Sequence, residues 1–184
     1  CWDLQNIKLC DEIISFFENN KSLQKQGVSG AGLNLDIKKT TDIKITPNDL
    51  ENPKFEIFNQ YMKELHKCFL DYQNQWPFLK SMFKTGDIPS FNVQKYLPGD
   101  HFAGLHSERT SLNTLHRLFA WMTYLNDVDG GGKTNFNHYG IKIKPQIGKT
   151  LIWPSEWTHA HTGEVLESGN KYIITGWIQF PISL

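Results

Sequence analysis

Cysteine is scarce in this sequence, with only Cys1, Cys10 and Cys68 in 184 residues. Their spacing forms neither a paired metal motif nor an even disulfide framework, which excludes a cysteine-clad zinc module and a small disulfide scaffold. Cys1 and Cys10 are candidates for pairing, but free thiols in a reducing compartment are the expected state. Long hydrophobic runs are missing as well. None approaches about 18 residues, so no membrane-crossing helix is expected. No leader-peptide pattern is visible, and the expected location is cytoplasmic or otherwise soluble and intracellular. Surplus charge is also lacking. Nineteen basic residues cancel nineteen acidic ones, so the composition calls for neither a nucleic acid nor a membrane surface as partner.

What remains is an ordinary globular composition, 39% hydrophobic and 21% charged, with an aromatic content of 13% that suits a sheet-rich fold. A single domain of this size buries roughly 70% of its unfolded surface without staples. The first half reads as helical and polar. Residues 11–20 place Ile13, Ile14, Phe16 and Phe17 on one side of a short helix. Residues 27–34 are glycine-rich and read as a flexible loop, since no strand–turn–helix unit surrounds them. From Pro53 to about Phe78, apolar residues from Phe55 to Tyr72 recur every three or four positions and predict a core-packing helix stopped by Pro77. From Ser90 the texture changes to short β-type runs at 91–96, 117–125, 141–144, 149–153 and 171–180, with turn signals between them. Short strands with no long intervening helix predict a sandwich or jelly roll, not a parallel α/β sheet.

Within that second half, His106-Ser107-Glu108 is a weak signal by itself. On a strand, residues two apart face the same side, so an imidazole and a carboxylate could converge on one ion. A second imidazole from a distant strand would complete a two-His-one-carboxylate triad, the arrangement of non-haem iron(II) oxygenases. Around the pair stand Tyr96-Leu97-Pro98-Gly99-Asp100-His101-Phe102, then Tyr124-Leu125-Asn126, Gly131-Gly132-Lys133-Thr134-Asn135-Phe136, Trp153-Pro154, His161-Thr162-Gly163 and Gly169-Asn170-Lys171-Tyr172. In this order and spacing, the series resembles the catalytic domain of 2-oxoglutarate-dependent prolyl 4-hydroxylases of the collagen type, over about residues 90–181.

That resemblance implies an α+β protein with a mainly β core. The core would be a double-stranded β-helix over residues 90–184, with supporting helices, loops and a substrate lid (27–45) before it in one domain. It implies iron(II), with manganese(II) as an inert stand-in, held by His106, Glu108 and His161. The family has aspartate at the second position. Glu108 keeps the charge but adds one methylene, so a shifted backbone or a bent rotamer is expected. The distal ligand is expected at His161, not His159, because Lys171 lies ten positions beyond it, where the family carries a basic residue for the far carboxylate of 2-oxoglutarate. His159 is left as a neighbour that orients the site or an ordinary strand histidine. Tyr96, Tyr124, Thr175 and Trp177 are expected around the cosubstrate, and Arg117 near the substrate entrance. His101, His116 and His138 match no ligand position. The implied reaction consumes 2-oxoglutarate and O2, with ascorbate in support, to hydroxylate proline in a peptide or protein. The same chemistry on another residue or a free amino acid, and a catalytically weak peptide-binding relative, remain alternatives.

Overall fold

The computed structural model describes residues 1–30, 32–83 and 86–181. Its first third supplies a short edge strand, β1 (Trp2–Asp3), helix α1 (Lys8–Asn19), and the hairpin partners β2 (Lys25–Gln26) and β3 (Thr41–Ile45). Helices α2 (Glu56–Gln75) and α3 (Pro77–Met82) follow, and then β4 (Phe91–Tyr96), β5 (Phe102–His106), β6 (Arg117–Tyr124), β7 (Thr134–Phe136), β8 (Ile141–Ile143), β9 (Lys149–Pro154), β10 (His161–Gly163) and β11 (Lys171–Gln179). They form two antiparallel sheets: seven strands in the order β1-β9-β6-β11-β4-β3-β2, and four in the order β5-β10-β7-β8. This is the expected jelly-roll architecture with helices on one side.

Alternation along the strands decides what each face does. On β11, Tyr172, Ile174 and Ile178 join α1 and α2 in one core, where Phe17, Phe58, Tyr61 and Leu65 are almost fully buried. On the same strand Ile173 joins a second core between the sheets, with Tyr96, Met122, Tyr124, Phe136, Leu151 and Trp153. The helices form because their apolar residues recur at helical spacing: Leu9, Cys10, Ile13 and Phe17 on α1, and Phe58, Tyr61, Leu65, Cys68 and Phe69 on α2. Pro77 both follows the end of α2 and opens α3, because its fixed φ suits a first helical turn.

Two expectations need correction. Residues 41–45 belong to no lid: β3 pairs with β4 from Thr41↔Lys95 to Ile45↔Phe91, and Ile43 and Ile45 are fully buried. The major sheet therefore crosses the boundary expected near residue 90. Glu108 is not on a strand with His106 either. β5 ends at His106, and Glu108 sits at the bend just beyond it.

Candidate metal centre and cosubstrate pocket

A cleft of about 790 Å³ opens between the sheets, lined by His106, Glu108 and His161 and, deeper, by Tyr96, Thr134, Lys171, Ile173 and Thr175. β10 pairs with β5 so that His161 lies directly opposite His106. Their ring centroids are 4.3 Å apart. Phe102 stacks on His106 at 3.9 Å, and Trp153 meets the His161 ring edge-on at 5.1 Å.

Each imidazole is oriented from behind. His106 Nδ1 lies 2.8 Å from the Gly104 carbonyl, and His161 Nδ1 lies 3.0 Å from the His159 carbonyl. A carbonyl only accepts, so these partners assign the proton to Nδ1 in both rings and leave the Nε2 lone pairs facing the cleft. Glu108 Oε1 faces them, 3.4 Å from His161 Nε2 and 3.8 Å from His106 Nε2. Among the described residues these three are the one cluster of this kind, with all ligand atoms within 4.8 Å of one another. Lone pairs brought face to face repel unless a cation or proton lies between them. Two neutral nitrogens and one carboxylate oxygen are the donor set of a non-haem iron(II) site, so the residues fit that metal. Burial pushes the Glu108 carboxyl pKa up, but positive charge on the facing imidazoles, His161 first and then His106, together with the Trp177 indole, outweighs it and brings it down to about 2; a metal cation between the same neutral rings and the carboxylate would act in the same direction. Burial pushes His106 down and favours its neutral, ligating form.

The second half of the cleft is a cation without an anion. Lys171 is only 3% exposed. Its Nζ donates to the Gly132 carbonyl at 3.0 Å and sits 3.9 Å from the centre of the Tyr96 ring. Among the described residues no carboxylate pairs with it. Burial lowers its pKa from 10.5 to about 7, with Glu164 pulling weakly the other way. An ammonium kept from water in this way is stabilised by an incoming carboxylate, which fits 2-oxoglutarate. The Gly131-Gly132 pair makes the contact possible. Both have positive φ, and a Cβ on Gly132 would press on Lys171 Cδ at 3.3 Å.

The remaining expected residues divide. Thr175 and Trp177 line the cleft; Thr175 Oγ1 donates to the Trp121 carbonyl, and Trp177 Nε1 donates to Glu108 Oε2 at 2.7 Å. Tyr96 lines it too, but its hydroxyl donates to Gln94 Oε1 at 3.0 Å. Tyr124 lies one layer back, fully buried, with its hydroxyl on Thr134 Oγ1 at 2.6 Å. Thr134 is the group that reaches the cleft. Arg117 lies at the cleft, with its guanidinium 3.8 Å from the Trp177 ring centre and Nη1 on the Glu108 carbonyl. His159 stands on a 3₁₀ turn, not a strand; its carbonyl holds His161 while its ring borders a separate apolar hollow. His116, read as ordinary, lines the cleft.

Several lining or supporting residues were missed. Gln94 follows from Tyr96 by strand alternation, which was signal enough to find it. Lys38 and Asp42 had no such signal. They form a buried pair at 2.8 Å, and Asp42 also accepts from Gln94 at 3.0 Å. Val28, Ser29, Ile37 and Lys38 line one side of the cleft.

Residues 91–179 match the family model of the 2OG-Fe(II) oxygenase superfamily. Among curated proteins, the chain is similar to prolyl 4-hydroxylase subunit alpha-1 of Gallus gallus, 30% identical over 74 residues, and of Homo sapiens, 27% identical over 74. In both cases the match covers 36% of this chain and spans only 14% of the relative's length. Two solved structures share the fold. A Pseudomonas putida prolyl-4-hydroxylase has a TM-score of 0.73 at 17% identity, covering 98% of this chain and 91% of its own. A viral collagen prolyl hydroxylase from Paramecium Bursaria Chlorella virus-1 has a TM-score of 0.69 at 18% identity, covering 98% and 94%. With the fold and the donor set agreeing with the family match, residues 91–179, just under half of the chain, are a 2OG-Fe(II) oxygenase superfamily domain.

Proposed function

We propose that this chain hydroxylates a prolyl residue in a peptide or protein, with iron(II) held by His106, Glu108 and His161 and the far carboxylate of 2-oxoglutarate on Lys171. The observation that carries the reading is the cleft's charge pattern. Three acceptor groups converge at one end, and an unpaired, buried ammonium waits at the other. A cation and a dianion answer both demands. When bound, iron supplies the oxidising chemistry, in which one O2 and one 2-oxoglutarate give a hydroxylated carbon, succinate and carbon dioxide.

The protein's own part is placement. The Gly104 and His159 carbonyls fix the two rings, Trp177 fixes one oxygen of Glu108, and Gly132 together with the Tyr96 face fixes Lys171. Tyr124 acts through Thr134. Phe102 and Ile173 keep the walls apolar, which strengthens each charged contact inside. Val28, Ser29, Ile37 and Lys38, at one side of the cleft, would border the substrate. A peptide occupant is supported by the neighbour from Trichoplax adhaerens, a prolyl hydroxylase solved with a hypoxia inducible factor peptide fragment, which has a TM-score of 0.73 at 16% identity. Ascorbate would return iron oxidised in unproductive cycles to the ferrous state. No described helix is long and apolar enough to cross a membrane, and Cys1, Cys10 and Cys68 are free thiols, which supports a reducing compartment such as the cytoplasm.

The test is aerobic incubation with iron(II), 2-oxoglutarate and proline-containing peptides, read by mass spectrometry. One added oxygen on proline, with stoichiometric succinate, is the expected result. Succinate formed without any modified proline, but with oxygen on another residue or a free amino acid, would reassign the substrate. Peptide binding with no succinate at all would make the domain a binding module.

A further inference from the structure

A glutamate stands where the family resemblance has aspartate, and its two oxygens point in different directions. Oε1 faces the two imidazoles, while Oε2 accepts from Trp177 Nε1 at 2.7 Å. Trp177 comes from β11, far along the chain, and is locked in turn. The Arg117 guanidinium lies 3.8 Å from its ring centre, and Arg117 Nη1 reaches back to the Glu108 backbone carbonyl at 3.2 Å. The result is a closed ring of contacts: carboxylate, indole, guanidinium and the glutamate's own carbonyl. The β6–β11 ladder sets its span, pairing Trp177 with Ala120 and Gln179 with Arg117 across a register shift.

We infer that Trp177 and Arg117 are positioning residues matched to a glutamate ligand, clamping Glu108 so that it offers the metal one oxygen from a bend beyond the strand. This rests on His106, Glu108 and His161 being the metal ligands. A glutamate side chain has one more rotatable bond than an aspartate and would wander unless held. Holding Oε2 on the indole removes that freedom and keeps the second oxygen from taking up another position on the metal. The charge-assisted bond also needs the extra methylene. From the same backbone, an aspartate falls short by about 1.5 Å, one carbon–carbon bond, and cannot reach both the indole and the centre. Arg117, seen from the sequence as a residue of the substrate entrance, acts in this arrangement on the ligand instead.

The experiment is equilibrium binding of manganese(II), followed by loss of the free-ion magnetic resonance signal. It is run on the native chain, Trp177→Phe, Glu108→Asp, the Trp177→Phe/Glu108→Asp double variant and Arg117→Met, with thermal melts in parallel. The native chain binds one ion. Trp177→Phe keeps the ring under Arg117 but loses the donor, and binding weakens about 10- to 100-fold, the usual effect of removing a group that orients a ligand. Glu108→Asp weakens binding by a similar factor in the native background. In the Trp177→Phe background it costs less than about threefold, because no tether remains to be stretched. A purely structural role for Trp177 would give additive losses instead. Arg117→Met gives about a 2- to 5-fold loss and stands in if Trp177→Phe fails to fold. The proposal is overturned if Trp177→Phe binds manganese(II) as tightly as the native chain, if Glu108→Asp costs the same in both backgrounds, or if Arg117→Met changes nothing. If the native chain itself binds no ion, the metal-centre reading fails, and the clamp fails with it.

Discussion

The two faces of the seven-stranded sheet are made from alternate residues of the same strands, yet one is closed and the other is not. On the helix side, apolar residues fill the interface, and although among the described residues the Trp121 indole N–H has no partner, the hydroxyls there satisfy one another and no buried charge is present. The Tyr61 hydroxyl and Thr123 Oγ1 are 2.7 Å apart, Thr123 and Thr150 are 2.7 Å apart, and Thr150 donates to the Gly148 carbonyl. On the cleft side, Lys171 is as buried as that triad but has only a carbonyl and a ring face for company. Buried and satisfied groups hold a fold together. Buried groups lacking a counter-charge cost stability until a ligand arrives. The comparison separates scaffold from site without reference to any relative.

The sharpest way to break it is at the metal. His161→Ala removes one of three donors and should abolish stoichiometric manganese(II) binding together with turnover. His159→Ala should leave binding largely intact, because its carbonyl, not its ring, holds His161. The opposite outcome would place the ligand two residues earlier. Next in size is Lys171→Met. It removes the proposed anchor for the cosubstrate, so affinity for 2-oxoglutarate by calorimetry should fall by roughly 3–5 kcal/mol. The same variant should raise the melting temperature without cosubstrate, since it replaces an uncompensated ammonium with an apolar chain. A melting temperature that falls would mean that Lys171 is already satisfied.

The pH dependence sharpens the point. With its folded pKa lowered from 10.5 to about 7, Lys171 is charged below that value and neutral above it. The unfolded chain holds this proton up to its ordinary pKa. Between about 7 and 10.5 the unfolded state therefore binds more protons, and Lys171 makes stability rise with pH across that window. Affinity for 2-oxoglutarate should run the other way, weakening as pH rises through and beyond 7, because binding must then take up a proton. Lys171→Met should flatten both profiles. Parallel profiles in the native chain and the variant would rule Lys171 out.

Legibility in the sequence followed the same division. Strands that cross the core between turns were readable: 91–96 coincides with β4, and 117–125, 149–153 and 171–180 each lie within one residue of an end of β6, β9 and β11. The three-residue strands β7 and β10 and the five-residue β5 were not seen, because they are too short to show a period, and β5 and β10 carry the histidines. The lid expected over 27–45 rests on resemblance to the family's upstream segment, and its last five residues are strand β3, revealed by pairing with β4. The His106, Glu108 and His161 set came from motif order, and the structure brings the three together. Their supports did not. The Lys38–Asp42–Gln94 network joins segments more than fifty residues apart, and no local pattern encodes it.

The smallest expected effect tests the closed face. Tyr61→Phe deletes one hydroxyl from the Tyr61–Thr123–Thr150 chain and leaves the ring packed against Trp121 at 5.7 Å. Thr123 keeps Thr150 as a partner, so no buried group is stranded. The loss should be that of one net hydrogen bond, about 1 kcal/mol, which lowers the melting temperature of a domain this size by roughly 2–4 °C. Manganese(II) and 2-oxoglutarate affinities should stay within about twofold of native, because Thr123 faces the helices while its neighbours Met122 and Tyr124 face the cleft side. A calorimetric scan and one titration of each ligand check both halves of the claim. If Tyr61→Phe weakened either ligand severalfold, strain would be passing through the sheet from one face to the other, and scaffold and site could not be treated as separate layers.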